Sequence, residues 1–266
     1  MLKITSVGRN QYIEKTKPYR DIIQTQLKKE SAGKKAIERG GPQAAYSRLA
    51  LVDDMLYLAS NYLILCGMSQ AILRIQSEES LNEARKSYVK AITYLEEIVS
   101  PFVDVPYSDY EDKLSEINDV DAQNRYALIR RAGLVLNLIK DAYGENAKWK
   151  WSFVDLEGRY AAVAKNIMNL KTAVANTDPR AVDYEPTVNH IRLIKKLLAN
   201  AADRYREKYE LLSNHTDDFN MGINFLNALK RIHNILGEKN DAETIRKKAD
   251  TWAGKLDMDV KQRKKQ

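Results

Sequence analysis

Apolar residues recur at intervals of three and four along most of the chain, which is the spacing of helices with one buried face. The longest such stripe covers residues 149–174, and a second covers residues 129–143. The predicted turn between them, residues 144–146, has only three residues. Two amphipathic helices joined by so short a turn lie antiparallel, so the pattern predicts a helical hairpin over residues 120–176.

A different pattern lies upstream, where apolar side chains occupy nearly every face of the segment from Met55 to Ile75. A helix that is apolar all round is buried all round, so a helix over residues 42–76 is expected at the centre of its half of the chain. Cys66, the single cysteine, lies in this run and is expected to be buried and unreactive, because His190 is the nearest histidine in sequence.

Helix boundaries follow from capping and breaking residues. Pro18 suits a first helical position, so the first helix is predicted from Pro18 to about residue 30, followed by a basic connector over residues 31–41. Asp119 or Asp121 is expected to cap the helix that ends at Gly144. The last helix is predicted to end near residue 255. Three further starts resemble capping boxes: Ser80 with Glu83, Ser108 with Glu111, and Asn240 with Glu243.

Glycine and proline are scarce, at 11 and 6 residues, and no segment shows the alternation that a β-strand needs. These observations predict an all-α protein of long antiparallel helical hairpins, packed as an elongated bundle or a short α-solenoid. The expected organisation is a basic N-terminal segment with one helix (1–41), a helical-hairpin domain (42–255) and a basic tail (256–266). A composition break at 101–119 leaves two lobes possible within the central domain.

Residues 226–249 resemble a single tetratricopeptide hairpin, with large residues on the first helix, a Leu236-Gly237 turn, and Ala242 and Ala249 seven residues apart. Lys230 departs from that pattern, and no 34-residue period extends it. The resemblance implies packed α-hairpins.

Positive charge is concentrated at the two ends of the chain. Residues 1–40 carry a net charge of +6 and residues 255–266 carry +3, whereas the rest is close to neutral. Such ends either attract a polyanion or an acidic partner, or simply keep the protein soluble. The candidate contact residues are Lys28, Lys29, Lys34, Lys35 and Arg39.

Two further segments have two interpretations each. The apolar loop from Phe102 to Tyr107 is either a docking site or a lid folded on the core. Trp151 lies beside two lysines but off the predicted stripe, so it either contacts a partner or packs on a third helix.

Sequence motifs for catalysis, metal binding or nucleotide binding do not emerge. The three histidines form no metal-binding pair with each other or with an acid, and no phosphate-binding loop is present, so no cofactor or metal is expected. The expected function is a non-enzymatic scaffold or adaptor that binds another protein. The alternative is a nucleic-acid or polyanion-binding protein that acts through its basic ends. The N-terminus does not resemble a signal peptide, so a cytoplasmic location is expected.

Overall fold

The computed structural model describes residues 5–41, 43–144 and 147–263, and every regular element within these ranges is a helix. The all-α expectation is therefore confirmed. The helices are α1 (Ser6–Glu38), α2 (Ala44–Met68), α3 (Glu78–Ile98), α4 (Glu111–Ser115), α5 (Ala122–Tyr143), α6 (Ala147–Lys150), α7 (Ser152–Asn166), α8 (Leu170–Ala173), α9 (Tyr184–Lys208), α10 (Thr216–Ile235) and α11 (Lys239–Arg263).

The chain divides into two compact units. The first unit comprises residues 1–98 and 128–146, and so contains α1, α2, α3 and most of α5. The second unit comprises residues 99–127 and 147–266, and contains the remaining helices together with the first turn of α5.

In the first unit, α1 packs antiparallel to α2. Gly33 allows a close approach, because a Cβ atom at this position would lie 2.7 Å from Cδ2 of Leu51. Glu30, a buried carboxylate on the same helix, forms an ion pair of 2.9 Å with Lys90 of α3. Lys34, one turn later on α1, also forms an ion pair with Glu30. The helix α1 is therefore anchored to both α2 and α3.

The second unit follows the same plan. The helix α7 runs antiparallel to α9, since Ala164 contacts His190 while Gly158 lies against Tyr205. The helix α11 packs on α9 and α10 through Trp252, which is buried in the core of this unit. That core consists of aromatic and aliphatic side chains that include Tyr205, Phe219, Phe225, Leu198 and Leu226.

The central helices of the two units match position by position. Both α2 and α9 have 25 residues, and α9 begins at Tyr184, 140 positions after Ala44. Each continues into a five-residue π-helical turn, Ser69–Leu73 and Tyr209–Ser213. Each turn ends at a residue in the left-handed region, Arg74 with φ of 58° and Asn214 with φ of 51°. The central helices of the two units and the turns that follow them therefore share one local geometry.

The N-terminal helix is much longer than the sequence predicted. It begins at Ser6 rather than Pro18, because the Thr5 hydroxyl accepts a hydrogen bond of 3.1 Å from the backbone N–H of Gly8 and caps the helix. It also continues through the predicted connector to Glu38, where close packing at Gly33 supports it. Pro42, the predicted start of the next helix, lies outside the described residues.

Several predicted caps were wrong. The helix α3 is capped by Ser77, whose hydroxyl accepts from the N–H of Ser80, and α4 begins at Glu111 without a side-chain cap. The helix α11 begins at Lys239 and extends to Arg263, where Arg263 donates to the backbone carbonyl of Asn214. By contrast, Asp121 does cap α5, and Gly144, which was predicted to end this helix, has a positive φ of 74°.

The stripe predicted over residues 149–174 does not form one helix. The helix α7 ends at Asn166, and Asn169 starts α8 by accepting hydrogen bonds from two backbone N–H groups. Val174 is consequently exposed. The predicted pairing of α5 with α7 stays a prediction, because two turn residues lie outside the described ranges and the paired segments belong to different units.

Candidate partner-binding surfaces

The basic candidates lie on α1 and are all exposed. Lys28, Lys35 and Arg39 are spaced by seven and four residues and so share one face of the helix. No ion pair involves these three side chains in the described part of the chain. Lys34 differs, because its ammonium is 2.8 Å from the buried carboxylate of Glu30 and thus has a structural partner. Lys29 is exposed on an adjacent face.

The loop from Phe102 to Tyr107 belongs to the second unit and folds against the rest of it. Asn166, which is fully buried, donates hydrogen bonds to the carbonyls of Ser100 and Phe102. Val103 is buried in the core, and the Tyr107 hydroxyl donates to Asn169 at 3.2 Å. Phe102 is the large hydrophobic side chain of the loop that is exposed, with 67% of its surface accessible. The loop thus has the contacts of a lid.

Trp151 is half-buried and packs against the core of the second unit. The Lys150 ammonium lies 4.7 Å from its ring centroid, and the Arg204 guanidinium of α9 lies 5.9 Å away on the same ring. The tryptophan therefore contacts a neighbouring helix, as one of its two interpretations proposed.

The first unit carries an exposed apolar face that the sequence interpretation missed. On α2, Tyr57 and Ile64 lie two helical turns apart and are 47% and 39% exposed. On α5, Leu134 and Leu138 lie one turn apart and are 59% and 45% exposed. A signal existed in the sequence, because both leucines lie off the stripe of α5, which consists of Ile129, Ala132, Leu136, Ile139 and Tyr143.

An ion pair joins the two helices that carry these residues. Asp53 of α2 and Arg131 of α5 approach to 2.7 Å, and each lies one turn before the exposed apolar residue of its own helix. Farther along, the side-chain amide of Gln76 donates to the carbonyl of Ala142 at 2.5 Å. These two contacts join α5 to α2 and to the segment that follows its π-helical turn. We call Tyr57, Ile64, Leu134 and Leu138 the apolar face.

One cluster of possible metal ligands occurs among the described residues: His233, Glu238 and Asp241 at the turn between α10 and α11. Lys195 donates to both carboxylate oxygens of Glu238, at 2.6 and 2.5 Å, and Glu238 also accepts from His233 at 2.6 Å. The bonded lysine and histidine hold the pKa of Glu238 below its usual value despite its partial burial. The ammonium of Lys195 thus serves as the cation of this cluster.

The helix α2 and the turn that follows it have a length and an apolar composition that buried core helices share with membrane spans. Within the described residues, the 30-residue stretch Ala44–Leu73 is long and apolar enough to cross a membrane. Half of its most apolar window is buried inside the protein.

These features define an all-α protein of two helical units with exposed apolar and basic surfaces. The chain belongs to the TP0443 family, whose model matches residues 8–260. It has no significant match among curated proteins, and none among solved structures. The tetratricopeptide resemblance of residues 226–249 therefore gains no support from these comparisons.

Proposed function

We propose that this protein is a non-enzymatic helical scaffold or adaptor that binds an amphipathic helix of a partner protein on the apolar face. The observation that carries the proposal is the exposure of Tyr57, Ile64, Leu134 and Leu138 on two helices that the Asp53–Arg131 ion pair joins. Contiguous exposed apolar side chains commonly mark interaction sites in soluble proteins.

The dimensions of the apolar face favour a helix as the occupant. Tyr57 and Ile64 are about 10 Å apart along α2, since each residue adds about 1.5 Å to a helix. An amphipathic helix presents apolar side chains over a similar length at positions i, i+3 or i+4, and i+7. We infer that the partner helix places such a row of side chains against the exposed residues of α2 and α5.

A second copy of this chain is a poorer occupant. Stable interfaces bury roughly 800 Å² on each partner and involve some 20–30 residues a side. The apolar face has four large side chains, and Asp53 and Arg131 at its edge are already paired with each other. A helix lying in a groove needs fewer anchoring residues than a symmetric dimer.

The decisive experiment compares two double variants in affinity purification from the native cell. Leu134→Glu with Leu138→Glu places two charges in the apolar face, whereas Leu211→Glu with Leu212→Glu changes two exposed leucines on the second unit. We expect one stoichiometric protein to be recovered with the wild type and the control but lost with the first variant. A peptide of its amphipathic helix should then bind the wild-type protein directly.

Both variants must remain folded, and surface substitutions usually shift stability by less than about 0.5 kcal/mol each. Equal helical content and melting temperature would establish this. Recovery of the same partner with all three proteins, or of no stoichiometric partner with any, would contradict the proposal.

Binding of a polyanion through α1 is the second candidate function. It is supported by the exposed face formed by Lys28, Lys35 and Arg39. Exchange of these three residues for Gln should weaken binding to duplex DNA and flatten the slope of log affinity against log salt, by about 0.9 per lost phosphate contact. Lys113, Lys196 and Lys239 are exposed and scattered, so their exchange for Gln provides a control with equal charge. An equal slope change in the two variants would reject a dedicated site.

A further inference from the structure

A cluster of buried hydrogen-bond donors lies in the second unit, contributed by α7, α10 and the turn before α4. Lys165 of α7 is 2% exposed, and Tyr110, which directly precedes α4, is equally buried. Arg231 of α10 contributes its guanidinium Nε, which is buried although the side chain as a whole is 39% exposed. All three residues belong to the same compact unit.

These three side chains lie close to one another. The Lys165 ammonium is 5.3 Å from the centroid of the Tyr110 ring. The positive charge of Arg231 adds to the lowering of the pKa of Lys165 by burial, and it opposes the rise that burial causes in the pKa of Tyr110. The guanidinium is therefore near both of the other groups, and the cluster joins three segments of the unit.

The donors of the cluster have no acceptor among the residues that the structure describes. The Tyr110 hydroxyl and the Arg231 Nε are buried without a hydrogen-bond partner. The Lys165 ammonium forms no hydrogen bond or ion pair within the same ranges. Buried polar groups are nearly always hydrogen-bonded in native proteins, so the cluster calls for an acceptor.

The cluster also has an excess of positive charge. Its carboxylate, Asp104, lies 2.6 Å from Nη2 of Arg231 and so is already paired. Although burial lowers the pKa of Lys165 to about 8, the amine is still mostly protonated at pH 7. The side-chain oxygen of Asn166 is buried without a partner too, but it is uncharged. Two cations thus share one carboxylate.

We propose that this cluster binds a small monovalent anion of the chloride type between Lys165, Arg231 and Tyr110. A spherical anion accepts hydrogen bonds from any direction, so it can accept one from each of the three donors. It also supplies the missing negative charge, whereas a water molecule would leave a buried cation uncompensated. Because the Arg231 side chain reaches the surface, the ion does not have to cross the core.

Thermal unfolding of the full chain tests for such a site when sodium chloride replaces sodium gluconate at constant ionic strength. A ligand that binds only the folded state stabilises it further as the ligand concentration rises above the dissociation constant. We expect the melting temperature to rise with chloride, with half-saturation in the millimolar range, and bromide to have the same effect.

Two variants with matched controls locate the site. Lys165→Met removes the charge and should abolish the response to chloride, whereas Lys29→Met, at an exposed lysine, should retain it. Tyr110→Phe removes one donor and keeps the ring, so it should weaken chloride affinity several-fold. Tyr88→Phe, at a buried tyrosine of the first unit, should leave the affinity unchanged.

A crystal of the wild-type protein soaked in sodium bromide provides a readout that does not depend on the folding of a variant. Anomalous scattering should show one bromide within hydrogen-bond distance of Lys165 Nζ, Arg231 Nε and the Tyr110 hydroxyl. The proposal is overturned if this position holds only water, or if the melting temperature is the same in chloride and gluconate. A response of folded Lys165→Met to chloride equal to that of the wild type would also overturn it.

Discussion

Gly158 of α7 lies directly against the ring of Tyr205 on α9. A Cβ atom at Gly158 would be 2.7 Å from Cε2 of the tyrosine and 2.9 Å from its hydroxyl oxygen. The ring has little freedom to move, because it is buried and stacks on Phe225 with centroids 5.5 Å apart. The close approach of these two helices therefore depends on the missing side chain.

Gly158→Ala is accordingly expected to destabilise the protein by about 1–3 kcal/mol, since the added methyl group overpacks the core. This loss should outweigh the gain of up to about 1 kcal/mol in helix propensity. Gly254→Ala is the control, because Gly254 is helical and has nothing within 4 Å of its Cβ position. Urea unfolding should show opposite shifts for the two variants, and shifts of the same sign would contradict the packing argument.

His190 should make the protein sensitive to acid. Its pKa is about 4 when folded and near 6.5 when exposed, so below pH 6.5 the unfolded chain binds the proton first. Stability from this group is therefore complete above pH 6.5 and is lost as the pH falls toward 4. In His190→Gln, which keeps a donor for the Ala164 carbonyl, the loss between pH 7 and pH 4.5 should be smaller by roughly 2 kcal/mol. Equal losses in urea unfolding would argue against a neutral buried ring.

Lys165 should have an effect of the same sign in a more alkaline range. Burial, reinforced by the positive charge of Arg231, lowers the pKa of Lys165 from 10.5 to about 8. Between these values the unfolded chain binds more protons, so stability from this group rises as the pH increases from 8 to 10.5.

Lys165→Met should consequently stabilise the protein at pH 7, by roughly 1–3 kcal/mol, because it removes a buried charge and keeps an apolar chain of similar length. The difference from wild type should shrink toward pH 10. Lys29→Met, at an exposed position of α1, should change stability by less than about 0.5 kcal/mol. A loss of stability in Lys165→Met would show that the ammonium makes a favourable interaction.

Two residues of one predicted stripe should now respond differently to truncation. Ile167 is completely buried whereas Val174 is 47% exposed. Ile167→Ala is expected to cost 2–5 kcal/mol, a range typical of cavity formation in a core. Val174→Ala should cost less than about 1 kcal/mol. Similar losses of stability for both variants in calorimetric unfolding would support the single continuous helix that the spacing predicted.

Helical periodicity alone was sufficient to predict most of the fold. The run from Met55 to Ile75 indicated a buried helix, and the structure places Met55, Leu58 and Leu65 in the core of α2. Burial of Cys66 was confirmed for the same reason, and burial raises the pKa of its thiol. Such patterns are local, so they can be read before the tertiary contacts are known.

Other boundaries depended on contacts that no local pattern contains. The backbone carbonyl of Ile167 is bonded to Arg125, which lies 42 positions earlier in the chain, and this contact coincides with the end of α7. The extension of α1 through Gly33 depends likewise on the facing Leu51. The intrinsic preference of proline for the start of a helix suggested that the first helix begins at Pro18. In the structure, Pro18 instead lies inside α1.

The apolar face illustrates the same limit. The four apolar residues on the two helices gave no sign of being neighbours, since 70 positions separate Ile64 from Leu134. Their proximity rests on the ion pair between Asp53 and Arg131, a long-range contact.

The repeated π-helical turns have a consequence for how the molecule opens. In a π-helical turn the hydrogen bonds span five residues instead of four, so the regular ladder of the helix is interrupted there. Amide protons at residues 69–73 and 209–213 should therefore exchange with deuterium sooner than those of the helices that precede them. Because each turn is followed by a left-handed residue, the opening can stop at Arg74 and Asn214 without unravelling α3 or α10. Each unit thus has an intrinsic site of local unfolding at the same place in its central helix.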